Sequence, residues 1–181
     1  MFHHPGTLHK HLSISNLQIT LKQLLESRDR RAARQAELLG QYPGRTLLCL
    51  TVMLPGPVKR SNVSLKIASA AVSAVRFSFD LQFEELRDLE TGYEGYFVVD
   101  IDPVSAKRQA VSIEEEHPLG RLFDLDVITA DGPLSREGLG LPGRKCLICG
   151  KPVRECMRTR AHSTEELLER ISVILNTPQS F

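Results

Sequence analysis

Apolar residues first fall into a repeating pattern after Thr20. Leu21, Leu24 and Leu25 begin a stripe with helical spacing that runs to Leu39. Thr20 and Gln23 have capping-box spacing, Gly40 is a C-terminal stop and Pro43-Gly44 a turn; a break is expected near Ser27. Residues 46–54 (TLLCLTVML) are apolar and rich in strand formers, which predicts a buried strand closed by Pro55-Gly56-Pro57. Ser61 caps a second predicted helix with Val63, Ile67, Ala68, Ala71, Val72 and Val75 on or near one face. Segments 77–86 and 95–102 read as strands joined around Thr91-Gly92. Pro103 opens a third helix that runs through Glu116. A strand at 122–129 and a turn at Asp131-Gly132-Pro133 follow. The last helix, 164–176, begins after Ser163, which has capping-box spacing to Glu166; Leu167, Leu168, Ile171, Ile174 and Leu175 form its stripe. Helices and strands alternate, so the fold class is α/β or α+β, with a mixed sheet and flanking helices. No repeat or low-complexity linker divides the chain. The expectation is a single domain over residues 1–181, with a small Cys/His lobe at 142–162.

Composition narrows the function classes. A chain of 181 residues buries ~70% of its unfolded surface, enough for a real core. Apolar residues at 41% and charged residues at 25% are ordinary globular values. The net charge of +1 argues against a generic nucleic-acid binder. The N-terminal residues show no leader pattern and no stretch approaches the ~20 apolar residues of a membrane span, so a cytoplasmic protein is expected. Four cysteines are too few for a disulfide scaffold and are expected to be reduced or metal-bound. Charge is unevenly spread: residues 80–102 hold eight acidic side chains and one basic, whereas 144–160 hold six basic and one acidic. A further basic cluster is Arg28, Arg30, Arg31 and Arg34.

The most informative segment is EHPLGRLFDLDV at 116–127. Strand alternation sends Phe123, Leu125 and Val127 to a core and leaves Asp124 and Asp126 together on the other face, ~6–7 Å apart along the strand. Two such carboxylates repel unless a cation lies between them, and magnesium suits hard oxygen ligands while keeping positions free for phosphates. Gly120 upstream allows close backbone approach to a phosphate. The bare pattern is common: Asp100-Ile101-Asp102 repeats it in this chain. A second signal is Cys146-x2-Cys149 followed by Gly150-Lys151, with Cys156 and His162 able to complete a Cys3His structural zinc site. Reduced cysteines packing a small subdomain are the equal alternative. Cys49 lies in the apolar strand and reads as core.

Longer context resembles one family across nearly the whole chain. SRDRRAARQ at 27–35, TVMLPGPVK at 51–59, EHPLGRLFDLDV at 116–127, SRE at 135–137, LPGRKCLICG at 141–150 and the spaced Cys156 and His162 are similar to the apo-citrate lyase phosphoribosyl-dephospho-CoA transferases, or holo-citrate-lyase synthases. The resemblance implies a nucleotidyltransferase-like fold. It implies transfer of the phosphoribosyl-dephospho-CoA group from triphosphoribosyl-dephospho-CoA to a serine of the citrate lyase acyl carrier protein, with pyrophosphate leaving. It places catalytic Mg2+ on Asp124 and Asp126; the Asp100-Ile101-Asp102 pair lies outside the family motif, and the third carboxylate is unassigned, with Glu116 and Asp102 as candidates. On the residues themselves, Arg121 reads as a phosphate contact or as a salt bridge to a neighbouring carboxylate, His117 as a general base or phosphate donor or as a structural loop histidine, and Lys59 as a loop cation facing the triphosphate or as a solvated lysine. Arg144 and Lys145 lead the basic cluster assigned to donor phosphates, and the first-helix arginines are assigned to carrier docking. Two alternatives stay open: the equivalent transferase for the malonate decarboxylase carrier, and a zinc-ribbon binding module.

Overall fold

The computed structural model describes residues 17–177. The N-terminal stretch read for a leader falls largely on residues 1–16, outside the described residues. Thr20 opens α1 (Leu21–Gln41); its hydroxyl accepts from the Gln23 N–H while the Gln23 side chain accepts from the Thr20 N–H. The helix is unbroken at Ser27, against expectation. Ser27 faces inward and its hydroxyl bonds that of Thr91 at 2.8 Å, so a polar residue here joins the helix to the sheet.

β1 (Thr46–Val52) follows, then α2 (Asn62–Ser78), capped reciprocally by Ser61 and Ser64. The strand expected from residue 77 starts later, because Val72, Val75 and Phe79 keep helical spacing into the core. β2 spans Leu81–Leu89 and β3 Gly92–Val99. β3 stops short of the expected residue 102 because Asp102 serves as N-cap of α3 (Pro103–Glu116), accepting from the Ser105 N–H at 2.9 Å. A 3-10 turn (Gly120–Leu122) leads into β4 (Phe123–Thr129), which turns back onto the two-residue β5 (Gly132–Pro133). A strap then leads to α4 (Val153–Thr159) and α5 (Thr164–Asn176). The short α4 has no counterpart in the sequence reading.

The strands form one sheet in the order β2-β3-β1-β4-β5, and every pairing is antiparallel. The mixed sheet expected from alternation is therefore corrected to an antiparallel one, the α+β form of the reading. The two crossovers, β1-α2-β2 and β3-α3-β4, each land one strand away from where they start. β3 fills the gap in the first and β1 the gap in the second, which gives interlocked split βαβ units. One face of the sheet packs Leu48, Leu50, Phe97, Phe123, Leu125 and Val127 against α2, α3 and Ile171 of α5. The other packs Leu47, Cys49, Tyr96, Val98 and Ile128 against Leu38 of α1. Cys49 is core, as expected. Among the described residues no helix is long and apolar enough to cross a membrane.

Candidate active site

β4 positions the paired carboxylates. Phe123, Leu125 and Val127 are fully buried, while the Asp124 and Asp126 side chains are 39% and 47% exposed on the opposite face. Antiparallel pairing sets Thr51 beside Asp124 and Cys49 beside Asp126. The Thr51 hydroxyl donates to Asp124 Oδ2 at 3.4 Å.

β5 pairs with β4 only at Ile128 and Thr129, so side chains cap much of the remaining edge. The Leu125 N–H donates to Glu114 Oε1 at 2.7 Å, Lys107 Nζ donates to the Leu125 carbonyl at 3.1 Å, and Arg144 donates to the Phe123 carbonyl. These three side chains, with Asp124, Asp126, Arg136 and Arg154, line a cleft of about 300 Å³. Glu114 is buried and its oxygens are occupied: Arg144 lies 2.8 Å from Oε1 and Arg136 grips Oε2. Asp124 and Asp126 are held only loosely, by Arg144 and Lys107 at 3.6 Å each. Burial, then the charge of Asp124, hold the Asp126 carboxyl above the ordinary carboxylate range. An underneutralised pair of half-exposed carboxylates fits a hard divalent cation.

Lys107, Glu114 and Arg136 escaped the sequence reading. Their signals were present: Lys107 and Glu114 are seven residues apart, hence on one helix face, and Arg136 is the centre of the SRE motif. The expected third carboxylates do not join the cleft. Asp102 caps α3, and Glu116 is exposed at the end of that helix.

Other predicted residues divide. Arg144 stands in the cleft, and its neighbour Lys145 lines the two adjoining cavities. Arg121 also lies in those neighbours; it donates to the Lys145 carbonyl, and burial with the charges of Arg144 and Arg136 lowers its pKa. His117 does not line the cleft. It ends α3, accepts from the Leu119 N–H at Nδ1 (3.0 Å) and packs on Phe123 with ring centres 4.9 Å apart. Burial holds its pKa below the ordinary histidine value. Gly120 is needed for packing rather than phosphate approach: a Cβ there would meet the Ile113 carbonyl oxygen at 2.5 Å. Lys59 donates to the Leu54 carbonyl and ties down the loop after β1.

Arg144 and Val153 are shared with a larger groove of about 760 Å³, whose walls include Val52, Leu54, Leu147, Met157, Leu167 and Ile171. Cys146, Cys156 and His162 border the same groove. The ligand atoms of Cys146, Cys149, Cys156 and His162 all lie within 4.8 Å of one another, as the spacing predicted.

A cleft of carboxylates and cations beside an apolar groove is the equipment of an enzyme, and the relatives agree on its class: it is a transferase. The chain belongs to the apo-citrate lyase phosphoribosyl-dephospho-CoA transferase family, whose model matches residues 19–177. It is 37% identical over 166 residues to a probable apo-citrate lyase phosphoribosyl-dephospho-CoA transferase of Streptococcus pyogenes, covering 88% of this chain and 86% of that one. The Escherichia coli apo-citrate lyase phosphoribosyl-dephospho-CoA transferase is 35% identical over 168 residues, covering 90% and 91%. Protein CitXG of Haemophilus influenzae is 37% identical over 172 residues, covering 88% of this chain and 35% of that longer protein.

Proposed function

We propose that this enzyme transfers phosphoribosyl-dephospho-CoA from triphosphoribosyl-dephospho-CoA to a serine of the citrate lyase acyl carrier protein in the cytoplasm. The observation that carries the reading is the β4 cleft, where Asp124 and Asp126 face Lys107, Arg136 and Arg144. Asp124 and Asp126 would hold Mg2+, which supplies charge neutralisation on the triphosphate when bound. The chain's own work is positioning. Arg144 and Arg136, anchored on the buried Glu114, and the exposed Arg154 line the same cleft and present guanidinium donors for phosphate oxygens. The groove beyond Arg144 is large and apolar enough for the pantetheine arm and adenosine of the donor. The carrier serine oxygen attacks the phosphorus nearest the ribose. The anhydride bond to the next phosphate breaks, pyrophosphate leaves, and the serine proton is released.

The test is a mass spectrum of apo-carriers after incubation with enzyme and donor. Added mass on one serine of the citrate lyase carrier, with stoichiometric pyrophosphate, is expected. Modification of the malonate decarboxylase carrier alone would assign the alternative partner. No modification of either would overturn the reading.

A further inference from the structure

The lobe between β4 and α5 has little apolar packing of its own, though Leu134 and Leu147 lean half-buried on the main core. From residue 129 to residue 170 only two side chains are buried, and both are cysteines, Cys146 and Cys156. Its single α-helix, α4, has seven residues, too short to persist by local propensity. Small units without a core generally need a staple.

The backbone is bent to bring four ligands together. The Cys146 N–H donates to the Lys151 carbonyl at 2.7 Å and the Val153 N–H to the Arg144 carbonyl at 2.8 Å, closing a hairpin around Cys146 and Cys149. Gly150 turns that hairpin at φ 72°, and the Ile148 N–H points at Cys146 Sγ from 3.5 Å. Among the described residues Arg160 is the only non-glycine with positive φ, at 49°. Its left-handed conformation ends α4 and returns the chain so that His162 Nε2 reaches Cys149 Sγ at 3.4 Å. Cys149 and Cys156 sulfurs are also 3.4 Å apart, close to the ~3.8 Å edge of a zinc–thiolate tetrahedron. All cysteines are free thiols, so no disulfide does this work.

We infer that Cys146, Cys149, Cys156 and His162 bind one structural Zn2+ that replaces a hydrophobic core in this lobe and thereby fixes Arg144 between the two cavities. Three thiolates and one imidazole complete a tetrahedron and leave no open position for substrate, so the ion takes no part in the chemistry. Arg144 is two residues from the first ligand, on the hairpin the ion would clamp, and it alone spans Glu114, Asp124 and the Phe123 carbonyl. The inference stands independently of the transferase reading, since its evidence is the ligand geometry and the missing core.

The test measures metal in the full-length protein purified without chelator from zinc-supplemented cells. One zinc per chain is expected, and cobalt substitution should show thiolate charge-transfer bands. Cys149→Ser, at the exposed ligand, should lose most of the zinc and lower Tm by about 5 °C or more. Cys149→His should restore both, because it keeps four ligands. Protease cuts should move into residues 134–170 in the stripped protein only. Asp124→Asn should keep its zinc. Zinc-free wild-type protein, a Cys149–Cys156 disulfide, or zinc lost in Asp124→Asn and kept in Cys149→Ser would each overturn the proposal.

Discussion

Asp124 and Asp126 differ from Glu114, the buried carboxylate of the cleft, in having loosely held oxygens to offer. Glu114 is the contrast: it accepts from a backbone N–H and two guanidiniums, and it builds the wall. Asp124→Asn and Asp126→Asn should therefore leave a folded protein with at least a ~100-fold loss of turnover, or ~3 kcal/mol of transition-state stabilisation. Near-normal turnover by either folded variant at saturating magnesium would refute the metal assignment. His117 makes the opposite forecast. With Nδ1 occupied and the ring packed on Phe123, His117→Gln should reduce stability more than it reduces turnover, measured as Tm against kcat. Gly120→Ala should be worse: its Cβ would press into α3 backbone at 2.5 Å, an overpacking cost of ~1–3 kcal/mol or more by denaturant unfolding.

At the scale of elements, the outer edge of β4 explains why side chains of α3 and the strap became the cleft walls. An edge strand must satisfy its backbone groups, and here Glu114, Lys107 and Arg144 do so while lining the site. Asp126 sits on this strand with its proton held more tightly in the folded than in the unfolded chain. Between the ordinary aspartate value, ~4, and that raised value, the folded protein binds more protons than the unfolded one. Its contribution to stability is thus complete below the ordinary value and is lost as pH climbs through the raised one. In metal-free buffer, wild type should lose Tm relative to Asp126→Asn as pH rises across that window. A constant difference would mean that Asp126 titrates alike in both states.

Across the whole molecule, the first helix divides the arginine cluster by job. Arg31 meets the buried Glu94 at 3.4 Å, and Arg34 bonds Glu85 at 2.7 Å and Glu37 at 2.8 Å, so both hold α1 to the sheet or to itself. Arg28 and Arg30 are exposed. If this face docks an acidic carrier, Arg28→Glu with Arg30→Glu should raise the KM for apo-carrier and flatten its salt dependence, with the donor KM little changed. Arg31→Glu would instead set like charges together against Glu94 and show in Tm. Loss of donor affinity with intact carrier kinetics in the Arg28/Arg30 variant would exchange the two basic surfaces.

Local periodicity and spacing carried much of this protein. Capping pairs at Thr20, Ser61 and Ser163 mark true helix starts, because a cap is satisfied within four residues. The alternation around Asp124 and Asp126, and the intervals from Cys146 to His162, were legible for the same reason: strand pleat and hairpin length are local geometry. What the chain could not show locally was which distant groups meet. Alternating helices and strands did not reveal that each crossover skips a strand, since a two-residue link at Glu90-Thr91 decides which strand becomes the neighbour. Nor could residue type tell the loosely held carboxylates of β4 from the engaged Glu114, or the structural Lys59 and His117 from the cleft-lining Arg144. Glu114 and Arg144 find their partners 11 to 30 residues away, and only once α3, the strap and the Cys/His lobe close on the edge of β4; Lys59 and His117 are engaged within five residues, by how their own loops fold.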